Sequence, residues 1–194
     1  MSTSQRVPGG SQEGLAWSQL LLIAVAPLTA FAAMVNFSPV LPQVRDELGL
    51  TNTWVGILAS ATLLTHTLVQ LPGGQITDAI GGRWALTLAV ALVGVSLIAA
   101  GLAPSFPLLL LARTILGIGT GLSFIAGIAF VHHLASPDRR VVSQGIFGAS
   151  GNLGVLLVLL LFERLAGVVG WRGAFLIEGG LAVAAAGLMS ARLL

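Results

Sequence analysis

Apolar residues run along this chain in six long stretches, and the short segments between them carry most of the charge. A helix needs about 20 mostly apolar residues to cross a bilayer. Six such helices are predicted, at about 17–40, 53–76, 84–103, 106–134, 141–161 and 171–193. Pro39 and Pro42 are expected to end the first, because proline removes a backbone donor and interrupts helices. The pattern therefore predicts an all-α membrane protein with six transmembrane helices.

Composition agrees with a chain that has the lipid bilayer as its main partner. The 194 residues are 56% hydrophobic and 8% charged, whereas soluble domains carry roughly 25% charge. The basic residues are scattered arginines, which do not form the basic patch that nucleic-acid binding requires. The chain has no cysteine, so a disulfide framework is excluded, and no metal or cofactor is expected. Residues 1–16 are predicted to be a disordered cytoplasmic tail, and residues 17–194 to form the bundle.

The loop arginines predict how the bundle sits in the membrane. Cytoplasmic loops carry an excess of basic residues. With the N-terminus inside, the cytoplasmic set is Arg6, Arg83, Arg139, Arg140 and Arg192, and the external set is Arg45, Arg164 and Arg172. This distribution favours a multi-pass protein of the cell (inner or plasma) membrane with both termini cytoplasmic.

A polar segment between the second and third predicted helices reads Gly73-Gly74-Gln75-Ile76-Thr77-Asp78-Ala79-Ile80-Gly81-Gly82-Arg83. It resembles the signature loop of the major facilitator superfamily of transporters, although Ala79 and Gly82 stand where that family usually has arginine. The resemblance implies a conformational gating loop formed by Gly74, Asp78, Gly81 and Arg83. Asp78 is expected near the start of the third helix, where the helix dipole favours an anion. Arg83 is expected to pair with Asp78 or with lipid headgroups. The alternative is a solvated turn without a gating role.

Three more segments are similar to that family. Arg113 to Gly121 resembles its R-x-x-x-G-x-G motif, Pro137 to Arg140 resembles its 4–5 junction, and Trp171 to Phe175 resembles its W-R-x-x-F motif. The resemblance implies the N-terminal six-helix half of a twelve-helix transporter. Gly81-Gly82-Arg83-Trp84-Ala85 is also echoed by Gly170-Trp171-Arg172-Gly173-Ala174. That echo fits two three-helix repeats of inverted topology.

Arg113 is the strongest candidate for chemistry. It lies roughly 12 Å into the fourth helix at about 1.5 Å per residue. A charge at such depth costs about 2.5 kcal/mol or more and normally faces a cavity or a partner. The functional interpretation is a substrate or proton-coupling site, and the alternative is a structural ion pair with Glu178. The nearby glycines are expected to permit close helix packing; this group is Gly117, Gly119, Gly121, Gly148, Gly151 and Gly154.

Four further polar side chains are predicted to reach the transport site. His66 and Gln70 lie one turn apart in the second helix, with Thr62 on the same face. They either face the pore or form hydrogen bonds between helices. Asn36 and Asn152 are amides at membrane depth. The segment Gly148 to Gly154 resembles the G-N-x-G segment of nitrate/nitrite porters, but Gln70 stands where that branch carries an anion-binding arginine. A cyanate-type branch or a neutral substrate therefore stays open.

The functional hypothesis is a secondary transporter, symporter or uniporter, that moves a small polar or anionic solute by alternating access, with or without a coupled proton. Such a mechanism rocks two halves around a midplane site. The partner is therefore expected to be a missing C-terminal six-helix half, which makes this sequence a fragment, or a second copy in a homodimer. One alternative is a non-transporting membrane scaffold or assembly partner. Another is an intramembrane hydrolase, because Gly148-Ala-Ser150-Gly151 is similar to rhomboid protease segments. That class needs a later histidine, and none follows His133, so no catalytic residue is assigned.

Overall fold

The computed structural model describes residues 17–193, and these are almost entirely helical. The helices are α1 (Trp17–Val35), α2 (Phe37–Leu48), α3 (Asn52–Ile80), α4 (Gly82–Leu102), α5 (Phe106–Leu134) and α6 (Arg140–Arg192), with a 3-10 turn at Pro137–Arg139. Five of them are long and apolar enough to cross a membrane. The predicted all-α membrane class is confirmed. The predicted tail at 1–16 lies outside the described residues.

Helical structure continues beyond residue 40, the predicted end of the first crossing. The chain makes a turn at Asn36 and re-enters a helix at Phe37. Pro39 therefore falls in the first turn of α2, where backbone N–H groups have no intrahelical acceptor and proline is tolerated. Helix α2 ends instead at Gly49, which has φ 62°. The expectation that Pro39 and Pro42 end this helix was wrong.

Helix α6 contains two crossings that meet at Gly170. That residue has φ 75° and ψ 160°, a conformation that breaks the helix and that glycine adopts without a steric penalty. We call residues 140–169 the first arm and residues 171–192 the second arm. The first arm continues past its predicted end at 161 because Glu163, Arg164 and Leu165 are good helix formers. With this break, the bundle has the predicted six crossings.

Helix α5 lies between α3 and α4, and glycines form both contacts. A Cβ at Gly117 would overlap the Thr62 carbonyl of α3, and one at Gly121 would overlap the His66 carbonyl. On the opposite side, a Cβ at Gly119 would lie 2.9 Å from the Val93 nitrogen of α4. Lipid is as apolar as a leucine side chain, so such close backbone contacts supply much of the packing energy in membranes.

The glycines of the two arms of α6 contact different helices. The first arm contacts α1 where Gly154 meets the Leu28 carbonyl and Gly151 meets the Phe31 ring. Gly148 differs, because a Cβ there would meet nothing within 4 Å in the described part of the chain. The predicted packing role of Gly148 therefore has no contact to support it. The second arm lies along α4, and a Cβ at Gly94 would be 2.8 Å from the Gly179 carbonyl.

Candidate functional site

Arg113 is the eighth residue of α5 and points into the bundle, with 3% of its surface exposed. Its Nη1 lies 3.3 Å from Asn36 Oδ1 and 3.4 Å from the Ala33 carbonyl. The Ala33 carbonyl is accessible because it belongs to the last turn of α1, where helix carbonyls lack an intrahelical partner. The Phe37 ring centroid lies 5.2 Å from the guanidinium carbon. The groups in direct contact with the guanidinium are thus neutral, and both hydrogen bonds are close to the upper limit of hydrogen-bond length.

A small cavity of about 120 Å³ adjoins the guanidinium. It is lined by Met34, Phe37, Ser38, Ala59, Thr62, Leu63 and Arg113. A water needs about 10–15 Å³ of such space, so the cavity holds several waters or one small solute. Arg113 Nε is buried and has no hydrogen-bond acceptor among residues 17–193. A buried donor without an acceptor costs about 1–3 kcal/mol.

Glu178 and Arg113 do not form the predicted direct ion pair. Within residues 17–193, the salt bridge within 4.0 Å joins Arg172 and Glu47. Glu178 Oε2 instead accepts a hydrogen bond of 2.7 Å from Asn36 Nδ2. Asn36 therefore lies between the two charges and is itself fully buried, with 0% of its surface exposed. The structure brings these three predicted residues together, but it gives Asn36 protein partners on both sides of its amide.

His66 and Gln70 lie in the contact between α3 and α5. His66 Nδ1 is 3.0 Å from Thr120 Oγ1, and His66 Nε2 is 2.9 Å from Gln70 Nε2. Thr62 donates to the Arg113 carbonyl at 3.1 Å, which links the same two helices. Both ring nitrogens of His66 thus have protein partners, so neither is free for a solute in this conformation.

Asn152 is separate from this cluster. Its side chain is exposed on the first arm, and its Nδ2 is 3.4 Å from the Gly148 carbonyl of the same helix. Ser150 likewise donates to the Phe147 carbonyl, at 2.7 Å, within its own helix. Neither contact joins these residues to Arg113.

The loop predicted to gate the transporter has a different geometry from the one expected. Asp78 lies in the last turn of α3 rather than at the start of α4, so it occupies a helix end where an anion is not favoured. The chain turns after it at Gly81, with φ 84°, while Gly74 lies within α3. Arg83 donates at 2.7 Å to the Ser190 carbonyl of the second arm. Its expected pairing with Asp78 is therefore replaced by a contact with a helix C-terminus.

Comparison with known proteins identifies the family of this helical bundle. The model of the Major Facilitator Superfamily matches residues 23–194. This chain belongs to the major facilitator superfamily. It is therefore a multi-pass membrane protein of a transporter family, in agreement with the resemblance of its loop and helix motifs.

Curated relatives of this major facilitator chain carry several transporter names. It is 30% identical over 155 residues to the probable sulfoacetate transporter SauU of Cupriavidus necator, and this match covers 79% of the chain and 36% of the relative. It is 26% identical over 155 residues to the probable nitrate transporter NarT of Staphylococcus epidermidis, covering 80% of the chain and 40% of the relative. It is 32% identical over 167 residues to the lincomycin resistance protein of Streptomyces lincolnensis, covering 84% and 34%.

Solved structures show the same fold. A bacterial homologue of the human lysosomal transporter Spinster, inward-facing and occupied, superposes with a TM-score of 0.84 at 20% identity, covering 89% of this chain and 43% of that one. The inward-open xylose transporter XylE of E. coli gives 0.82 at 19% identity, covering 90% and 47%. The chain thus spans less than half the length of the relatives and structures that it matches.

Sequence reasoning missed some residues around Arg113 in this major facilitator bundle. Ser38 and Phe37 line the cavity, and Thr65 donates to the Thr114 carbonyl at 3.1 Å. Thr120 was also missed, although it is the partner of His66. One signal was available for Thr65, because it lies three residues after Thr62 and so falls on nearly the same helix face.

Proposed function

We propose that this bundle is the substrate-binding half of a secondary transporter for a small anion, and that Arg113 is the residue that contacts the anion. This proposal rests on one observation, the environment of the Arg113 guanidinium. Arg113 is buried and borders a cavity, its hydrogen bonds go to neutral oxygens, and its Nε has no acceptor among residues 17–193. An anion in the cavity would place a charged acceptor beside this guanidinium. Charge-assisted bonds of this kind are roughly twice as strong as neutral ones.

The relatives support an anion as the substrate class. Sulfoacetate and nitrate, the solutes in the names of two relatives, are both anions that present oxygen acceptors. The planar fork of arginine matches the geometry of carboxylate, nitrate or sulfonate oxygens. A cavity of about 120 Å³ also favours a small solute over a drug-sized one.

Transport by alternating access requires a second unit facing this one. We propose that the cavity beside Arg113 is completed by another six-helix half, either from the same polypeptide or from a second copy of this chain. The two units would rock around the anion and expose it to each side of the membrane in turn. The turn at Gly81 and the neighbouring Asp78, Gly74 and Arg83 would form the cytoplasmic gate of this motion.

The test of the anion contact uses Arg113→Lys in the native transporter, reconstituted in vesicles, with nitrate and sulfoacetate as probes. Lysine keeps the charge but loses the bidentate geometry. Uptake is expected to fall at least about tenfold, since one charged hydrogen bond is worth roughly 1.5–3 kcal/mol. Arg164→Lys is the matched control, because Arg164 is exposed on the first arm, and it should transport at the wild-type rate.

Other outcomes would contradict the proposal. Wild-type uptake by Arg113→Lys would remove Arg113 from the binding site. Binding of neither anion by the wild-type protein would reject the anion class, and protection of cells from lincomycin would then favour a substrate like that of the third relative. A protein that binds no solute in any assay would be the membrane scaffold that the sequence leaves as an alternative.

The intact mass of the native product distinguishes the two sources of the second half. A mass near 19.8 kDa, the mass of this chain, would require two copies, which crosslinking in the membrane should then capture as a homodimer. A mass near twice that value would place both halves in one polypeptide. We expect the second result, because the relatives named above are longer than their matched segments.

A further inference from the structure

Asn36 joins two opposite charges that lie on different helices. Its Oδ1 is 3.3 Å from Arg113 Nη1 on α5, and its Nδ2 is 2.7 Å from Glu178 Oε2 on the second arm of α6. The amide sits at the turn between α1 and α2 and is fully buried. Three helices therefore meet at one side chain, and the cation and the carboxylate are separated by the length of one amide group.

The chemistry of the two neighbours determines how this amide is oriented. A guanidinium has donors only, and an ionised carboxylate has acceptors only. The amide oxygen must therefore face Arg113, and the amide nitrogen must face Glu178. The reverse orientation would place two donors together and two acceptors together. Because Asn36 has no exposed surface, it also has no solvent partner toward which it could turn.

The separation changes what Arg113 can bind. A direct arginine–carboxylate pair is commonly bidentate and engages two nitrogens of the guanidinium. Here the nearest carboxylate engages none of them, and Arg113 Nε keeps no partner among residues 17–193. Glu178 still stabilises the buried cation at a distance, because a carboxylate attracts a guanidinium strongly in a medium of low dielectric constant. Glu178 thus balances the buried charge of Arg113 without forming a hydrogen bond to its guanidinium.

We propose that Asn36 is a spacer, a positioning residue that keeps Glu178 from closing onto Arg113 and so keeps the guanidinium open to a substrate anion. This inference rests on the proposed function, because it takes Arg113 as the anion contact. In this proposal Asn36 does not contact the solute, and Glu178 is the counter-charge of Arg113 before the anion binds. Without the spacer, the carboxylate competes with the anion for the same donors.

The experiment measures nitrate and sulfoacetate affinity by isothermal titration calorimetry on the full native transporter. Asn36→Ala should weaken anion binding at least about tenfold, which corresponds to about 1.4 kcal/mol, because Glu178 then reaches the guanidinium. The double variant Asn36→Ala with Glu178→Gln should recover most of that affinity, since the competing charge is gone. Glu178→Gln alone should bind at least as tightly as the wild type. Asn52→Ala, at an exposed position at the start of α3, is the control for the substitution itself.

The pattern of rescue separates a spacer from a merely structural residue. If Asn36→Ala and the double variant are equally impaired while both remain folded by circular dichroism, the spacer role is overturned. Unchanged affinity in Asn36→Ala would overturn it as well. Failure of the wild type to bind either anion would be a failure of the proposed function, and the spacer would fall with it. If Asn36→Ala does not fold, Asn36→Asp replaces it. A carboxylate facing Arg113 should abolish anion binding under the spacer model, and retained binding would contradict it.

Discussion

Arg83 of α4 donates to a carbonyl near the C-terminus of the second arm, and Arg172 of the second arm donates to carbonyls at the C-terminus of α4. Arg83, at the start of α4, is 2.7 Å from the Ser190 carbonyl near the end of the second arm. Arg172, at the start of the second arm, is 3.0 Å from the Gly101 carbonyl and 2.6 Å from the Ala103 carbonyl at the end of α4. Cations at helix C-termini satisfy carbonyls that lack partners and complement the negative end of the dipole. The two antiparallel helices therefore cap each other.

The same pair of helices is symmetric in two further ways. Each arginine follows a glycine with positive φ, 84° at Gly81 and 75° at Gly170. Each guanidinium also stacks on the adjacent tryptophan, with Arg83 4.7 Å from the Trp84 ring centroid and Arg172 4.3 Å from that of Trp171. The segments Gly81-Gly82-Arg83-Trp84 and Gly170-Trp171-Arg172 thus form two copies of one arrangement at opposite ends of a helix pair.

We expect Arg83→Gln and Arg172→Gln each to lower the free energy of unfolding. Each substitution removes charged hydrogen bonds to helix carbonyls, which are worth about 1.5–3 kcal/mol apiece. The larger loss is expected at Arg172, which contacts two carbonyls and Glu47. Melting temperature in detergent would measure the effect, with Arg164→Gln as the exposed control. Equal stability of all three variants would show that the caps contribute nothing.

The glycines of the first arm should differ sharply in their tolerance of alanine. Gly154→Ala forces a methyl group into the Leu28 carbonyl of α1, and such overpacking costs about 1–3 kcal/mol. Gly148→Ala places its methyl group in open space and should leave stability unchanged or raise it slightly, because alanine is the better helix former. The two melting temperatures, taken side by side, test the contact between this arm and α1. An unchanged melting temperature for Gly154→Ala would contradict this contact.

Stability should depend on pH through Glu47, outside the spanning helices. Its Oε1 accepts from Arg172 Nε at 2.8 Å and its Oε2 from Trp171 Nε1 at 2.6 Å, and these bonds, the one from Arg172 above all, lower the pKa of the carboxyl. A lowered folded pKa means that the stabilisation is present above the ordinary value of 4.5 and is lost as pH falls through the folded pKa.

Glu47→Gln should therefore destabilise the protein at neutral pH and become nearly neutral in acid. The difference should be at most about 1 kcal/mol, because the pair is partly exposed to solvent. Unfolding of both proteins between neutral pH and about pH 3, a range set by the ordinary carboxyl pKa, would measure it. Glu163→Gln, at an exposed position, is the control for the substitution itself. A stability difference between the wild type and Glu47→Gln that grows as the pH falls would contradict this prediction.

The absence of cysteine from this sequence allows a direct measurement of orientation. Asp138 lies beside Arg139 at one end of the bundle, and Asp46 lies beside Glu47 at the other. A membrane-impermeant maleimide added to intact cells should label Asp46→Cys but not Asp138→Cys, because the basic 3-10 turn is expected on the cytoplasmic side. Both positions are exposed, so permeabilised cells should label both. The reverse pattern would invert the proposed topology.

The sequence alone determined the number of crossings and the family. Length and hydropathy are local properties, so six apolar stretches could be counted before any contact was known. The positions of proline and glycine were less informative. Pro39 was expected to end a helix but falls in a first turn, and residues 162–169 were expected as loop but extend α6. Those errors arose because proline is compatible with a new helix start and because charged residues are good helix formers.

Only the tertiary structure decided which polar groups meet. Asn36 bonds Glu178 across 142 positions, and Arg83 bonds Ser190 across 107. A helix that is apolar all round has no amphipathic face to show which side turns inward. Lipid and protein interior are equally apolar, so hydropathy does not choose between them. Contacts that become visible only in the folded bundle, such as Gly117 on Thr62 and Gly154 on Leu28, hold neighbouring helices together instead. In that bundle the Asn36 amide lies between Arg113 and Glu178, where the sequence suggested a direct ion pair.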